Sequence, residues 1–162
     1  MNYDLEDKYN KNKERNRNNT HRWDYNCGGF ALGTFSWYCP AKHETYGNKE
    51  DFYGSEWEPF NAKQSYYATY SCIRSMLKEF DDLRLIKSVK ELQKDEYAIA
   101  FRISETCDDF HYCRRTSNGN WYHKMGNGII RRTTKDQVFS DIWDFDTGDT
   151  YSGQLVLFTK KN

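Results

Sequence analysis

The sequence is short of aliphatic side chains: its 162 residues hold only 18 Leu, Ile and Val, or 28 with the 10 Phe included. A chain so poor in these residues reads as disordered when its net charge is also large. Here 24 Lys and Arg balance 24 Asp and Glu, which removes that reading. In place of the missing aliphatic mass stand 13 Tyr and 5 Trp, rings that bury a large area but need a partner for their polar tips. The expectation is one folded, aromatic-rich domain. No long apolar run occurs and the mean hydropathy is −1.04, which excludes a transmembrane helix and with it a membrane partner. The opening Met1-Asn2-Tyr3-Asp4-Leu5-Glu6 lacks the apolar core of a signal peptide, so a cytoplasmic protein is expected. An even set of cysteines is missing as well. The five, at 27, 39, 72, 107 and 113, are expected as reduced thiols rather than a disulfide framework.

Residues 1–22 carry six Lys/Arg, four Asp/Glu and Leu5 as their single aliphatic residue, and read as a flexible or loosely packed arm. Residues 23–162 read as a single α+β domain. At Trp23 the composition turns apolar, and Asn26 is a suitable N-cap for a short helix that begins at Cys27. Residues 38–62, with Pro40, Gly47, Gly54 and Pro59, read as a long irregular connection of the kind that borders a site. Ser65 to Phe80 reads as a helix whose buried stripe is Tyr66, Tyr70, Ile73, Leu77 and Phe80. The stretch from Leu83 to Gln93 suggests a further short helix. Tyr97, Ile99, Phe101 and Ile103 then alternate with Ala98, Ala100, Arg102 and Ser104, the pattern of a strand with one buried face. Asp109 to Met125 reads as a hairpin around Ser117-Asn118-Gly119-Asn120, and Ile129–Thr133 and Gln154–Thr159 are further strands. Helices followed by a mostly antiparallel sheet make an α+β arrangement.

Three residues are candidates for chemistry. Cys27 opens a helix, where unpaired amides and the positive dipole end favour a thiolate. His111, on the first arm of the hairpin, is of the type that activates such a nucleophile. Gly28 and Gly29 allow a substrate carbonyl to approach the backbone, with amides near Cys27 for a developing oxyanion; close helix packing is the other role open to them. Asn26-Cys27-Gly28-Gly29-Phe30 is similar to the Asp-Cys-Ser-Gly-Phe type motif of NlpC/P60 cysteine peptidases, a branch of the papain-like fold. The resemblance extends to element order, with His111 in Phe110-His111-Tyr112-Cys113 as the catalytic histidine and His123 in Trp121-Tyr122-His123-Lys124 as the third polar residue. It implies a papain-like, NlpC/P60-like fold and a cysteine hydrolase that cleaves an amide or isopeptide bond of a protein or peptide. Catalysis falls to Cys27, His111 and His123, substrate contact to Gly28, Gly29 and Trp121, and no cofactor or metal is called for. Asp109, Asp144 or a backbone carbonyl could equally orient His111.

The hairpin turn decides whether the histidines share a face. A two-residue Asn118-Gly119 turn sets them on opposite faces, whereas a three-residue turn with a bulge pairs Thr116 with Asn120 and puts both on one face. Other chemistries are weaker. Cys39 with His43, and Cys107, His111 and Cys113, lack the paired spacing of structural zinc. From Phe110 to Lys135 there are six Lys/Arg and no Asp/Glu, and from Asp136 to Asp149 five Asp and no Lys/Arg, blocks that read as solvated or mutually compensating faces. The cations Arg114, Arg115, Lys124, Arg131, Arg132 and Lys135 stand among Tyr112, Trp121 and Tyr122, the components of a nucleic-acid surface, but zero net charge and no recognised motif argue against that partner. The rival class is a non-enzymatic intracellular binding or inhibitor protein acting by protein–protein contact; abundant Asn and Lys suit a phage or mobile-element source for it.

Overall fold

The computed structural model of the chain describes residues 20–40, 44–46, 50–51, 65–107, 109–126, 128–145 and 149–162. The expected arm lies largely outside these residues. Its last part, from Thr20, already forms a 3₁₀ turn that ends at Trp23, and the Trp23 carbonyl accepts a hydrogen bond from Trp37 Nε1 at 2.9 Å.

Asn26 then starts the first helix, α1 (Cys27–Leu32), and Gly33 ends it in the left-handed region at φ 73°, the usual stop for a helix. The cap also fixes the helix to its neighbour: Asn26 Oδ1 accepts from Gly29 N at 3.0 Å and from Tyr38 N at 3.1 Å, while Nδ2 donates to Tyr38 O at 3.0 Å. Tyr38 lies in β1 (Trp37–Cys39), which pairs antiparallel with β2 (Glu44–Tyr46). Part of the expected irregular connection is therefore a small hairpin; residues 47–49 and 52–64 fall outside the described set.

The second helix, α2 (Ser65–Glu79), occupies the expected span but turns a different face inward. Ala68, Cys72 and Met76 are buried, while Tyr66, Tyr67 and Tyr70 are 62%, 61% and 53% exposed. The two stripes have the same helical period, and the one with smaller side chains near its start lets the helix approach the sheet closely. Met76 Sδ accepts from Tyr112 Oη at 3.0 Å, and Ile73, Leu77 and Phe80 are half-buried at the margin of the same cluster.

Among the described residues the main sheet has six antiparallel strands, which run across it in the order Arg84–Ile86 (β3), Val156–Lys161 (β8), Glu96–Ile103 (β4), Phe110–Arg115 (β5), Trp121–Lys124 (β6) and Ile130–Thr133 (β7). Where a short helix was expected after Leu83, the chain forms the edge strand β3 (Arg84–Ile86) and a 3₁₀ turn at Val89–Glu91. The centre is built by β4 (Glu96–Ile103), β5 (Phe110–Arg115) and the last strand, β8 (Val156–Lys161). The strands β6 (Trp121–Lys124) and β7 (Ile130–Thr133), with a one-turn helix α3 (Lys135–Val138), complete the far side. Both faces of β4 are buried, not one. Tyr97, Ile99, Phe101 and Ile103 join α1 and α2 in the larger core. The small side chains of Ala98 and Ala100 leave room on the other face for Trp143 and Tyr151, whose backbones pair as an isolated bridge.

The three-residue form of the hairpin turn is the one adopted. Thr116 N donates to Asn120 O at 2.8 Å, Gly119 takes φ 90°, and Cys113 stands opposite His123.

Candidate active site

Strand alternation assigns the side chains of β5 to two environments. Phe110 and Tyr112 face α1 and α2 in the larger core, whereas Cys113 lies in the second cluster with Trp143 and Tyr151. His111 follows Cys113, its ring 5.4 Å from that of Tyr151 and 6.2 Å from that of Trp143 between centroids. The register of the hairpin brings His123 to the same face, and His111 Nε2 lies 3.1 Å from His123 Nδ1. Phe145 packs beside His123 with ring centroids 4.3 Å apart.

Burial holds both imidazoles neutral. His111 is pushed well below the ordinary histidine range, first by burial and then by His123, and His123 falls to about 4 through burial and the nearby Arg131. A hydrogen bond between two neutral rings needs one N–H and one lone pair. When His111 Nε2 donates to His123, His111 Nδ1 carries the lone pair of a base, and no hydrogen bond among the described residues engages that atom.

Cys27 occupies the first position of α1 and is buried, with its Sγ 4.0 Å from the carbonyl oxygen of Phe110, the residue just before His111. Its thiol is pushed up to about 12 by burial and by the charge of Asp109, against the opposing influence of Lys124 and the Gly28 amide. The expected resting thiolate is thus replaced by a neutral thiol. The helix behind Cys27 has only six residues, and the Gly29 amide is committed to the Asn26 cap, so little positive potential offsets desolvation. The structure brings His111 and His123 together. It does not bring Cys27 to them: the thiol is bonded to the Phe110 carbonyl within the larger core, and the histidine pair lies on the opposite face of β5.

The remaining expected residues have packing partners. A Cβ on Gly29 would stand 1.9 Å from Ser36 O, and one on Gly28 3.2 Å from a Tyr38 ring carbon, so both glycines admit the neighbouring chain. Trp121 is buried in the second cluster, edge-on to Phe139. Asp109 orients no histidine: its carboxylate accepts from Tyr151 Oη at 2.7 Å and from Phe110 N at 2.8 Å, and burial raises it to about 6.

Two buried cations escaped the sequence reading of the site. Lys124 is fully buried and its Nζ donates to the carbonyls of Arg22 at 2.6 Å, Tyr25 at 2.5 Å and Gly126 at 2.5 Å. Arg102 lies on the histidine face with Trp143. The available signal was alternation, since each stands at an inward position of a strand whose neighbours on that face are buried.

Among the described residues no three His, Cys, Asp or Glu converge as metal ligands; His43 lies outside them. Tyr112, Trp121, Tyr122 and Lys124 are buried, and Arg114 lies over the Tyr97 ring at 3.7 Å, so these components form no exposed array for nucleic acid. No described helix is long and apolar enough to cross a membrane. Comparison with known proteins finds no match to this chain among family models, curated proteins or solved structures.

Proposed function

We propose that the chain is a cysteine hydrolase of papain-like, NlpC/P60-like architecture that cleaves an amide or isopeptide bond in a protein or peptide. The reading is carried by the hydrogen bond between His111 Nε2 and His123 Nδ1 at 3.1 Å, next to the Phe110 carbonyl that Cys27 touches. One histidine is oriented by the other and keeps its second nitrogen for the nucleophile, the logic of a catalytic triad.

On this reading the Cys27 thiol, which rests in the larger core on the other side of β5 from the histidine pair, leaves the Phe110 carbonyl and reaches His111 Nδ1 through a local rearrangement that substrate binding drives. Its proton passes to His111 as sulfur bonds to the scissile carbonyl carbon, and His123 Nδ1 accepts from the resulting imidazolium. The oxyanion falls to the amides of Cys27 and Gly28, since that of Gly29 is held by Asn26. His111 then protonates the departing amine, which leaves a thioester at Cys27. Water attacks this thioester as His111 takes its proton, releasing the acid and restoring the thiol. A neutral resting pair makes His111 a general base during attack rather than the partner of a preformed thiolate.

A panel of peptidyl vinyl sulfones, followed by peptide mass spectrometry, tests the reading. Labelling is expected at Cys27, and His111→Ala should slow it about 100-fold, the low end for loss of a general base. Plain iodoacetamide should react slowly at neutral pH because the thiol is neutral and buried. Even labelling of all five cysteines, or unchanged labelling of Cys27 in His111→Ala, sinks the hydrolase. A second reading, a non-enzymatic protein that acts by protein–protein contact, is favoured by the exposed Tyr66, Tyr67 and Tyr70 on α2.

A further inference from the structure

Arg102 is 4% exposed, yet its Nε and Nη1 are buried without a hydrogen-bond partner. At least three of its five N–H donors are thus unused by the protein. The guanidinium carbon lies 5.2 Å from the centroid of the Trp143 ring, a contact that stabilises the charge but accepts none of those hydrogens in the plane of the group. Leaving donors of a buried cation unpaired is costly, and native proteins rarely do so without a reason.

We infer that Arg102 is the centre of a binding site for a small carboxylate ligand. A guanidinium takes a carboxylate through two parallel N–H···O bonds, and the Trp143 ring provides a flat apolar wall beside it. The groups facing this point are His111, directly across from Arg102 in the β4–β5 pairing, Cys113 on β5, and Asp141 in the segment after α3, the last two acting on Arg102 electrostatically. The imidazole is neutral, so one cation stands alone against an acidic neighbour. With Asp141 offsetting its charge, Arg102 offers a planar fork of unpaired donors rather than net positive potential, which matches a carboxylate and disfavours a phosphate dianion. The inference goes beyond the hydrolase reading and does not depend on it.

The test is a titration of the full chain with sodium acetate at constant ionic strength, read by tryptophan fluorescence and by melting temperature, with sodium chloride as control and inorganic phosphate as competitor. Acetate is expected to raise the melting temperature and alter the fluorescence. Arg102→Met should melt above the parent chain, because an unpaired buried charge is replaced by an apolar side chain of similar volume, and should lose the acetate response. Arg102→Lys, which keeps the charge but not the planar fork, should bind about tenfold more weakly, a loss of one good hydrogen bond, and it decides the matter if the Met variant does not fold. Cys27→Ala should keep the full response, so failure of this site and failure of the hydrolase are separable. No response to acetate, an equal response in Arg102→Lys, or tighter binding of phosphate overturns the assignment. So does equal destabilisation by Arg102→Met and Asp141→Asn with no further loss in the double variant, because Asp141 is then the partner.

Discussion

His123 and Asp109 titrate in opposite senses within the same range, while His111, held neutral by burial, adds to the stability that acid removes. For His123 the unfolded value is 6.5 and the folded value about 4. Its contribution to stability is complete above pH 6.5 and is lost as pH falls through 4, because the unfolded chain takes up the proton first. Asp109 runs from 3.8 unfolded to about 6 folded. Its contribution is complete below pH 3.8 and is lost as pH rises through 6. Each shift corresponds to roughly 3 kcal/mol, so the two largely cancel between pH 6.5 and 4. Asp109→Asn removes one side of this balance. The variant is expected to lose about 3 kcal/mol more than the parent chain between pH 6.5 and 4, read from urea unfolding at several pH values. Using the change with pH removes the constant cost of weakening the bonds from Tyr151 and Phe110. Parallel pH profiles would show that Asp109 is not held protonated by its burial.

At the scale of elements, what the sequence reveals depends on how local the cause is. The Asn26 cap, the Asn-Gly turn and the alternation of β4 are written within a few residues, and each element appears where those residues put it. β3 has only Arg84, Leu85 and Ile86, and is a strand because β8, more than seventy positions along the chain, offers it a ladder. The buried face of α2 is not legible for a different reason: two stripes of equal period compete, and the neighbouring sheet chooses between them. That choice has a measurable consequence. Met76→Ala should cost about 2–4 kcal/mol through lost burial and a residual cavity, whereas Tyr66→Ala, at an exposed position, should change stability by about 0.5 kcal/mol or less. Chemical denaturation of the two variants checks this, and the reverse order would restore the tyrosine stripe to the core. The site follows the same rule. His111 and His123 could be named from their residue types, but whether they met rested on a turn with two permitted lengths. The neutral state of Cys27 arises from burial where α1 packs against β1, β5 and β6, which no local pattern contains.

Across the whole molecule, the sheet carries the larger core on one face and the Trp143–Tyr151 cluster on the other among the described residues, and the candidate site straddles the crossing between them at β5. Cys27 and Tyr112 belong to the larger core and the histidine pair to the opposite face. Lys124 is the tie at this crossing. It binds the carbonyls of Arg22 and Tyr25, on the approach to Cys27, to that of Gly126 just beyond β6. Burial pulls this amine down to about 7, yet its Nζ meets three carbonyls, so its removal takes one donor from each while leaving the central ladders of β4 with β5 and β8 untouched. Lys124→Met should therefore destabilise the fold by about 1–3 kcal/mol, chiefly through the donor lost to the buried Tyr25 carbonyl. The loss should be local. Hydrogen exchange is expected to accelerate from Trp23 to Cys27 and at Met125 and Gly126, with β4 and β8 keeping the protection of global unfolding. Alkylation of Cys27 should become faster in the same variant, since the segment that buries the thiol is no longer held. If exchange instead rises uniformly across the sheet, Lys124 supports the core as a whole, and the approach to Cys27 is not separately fastened.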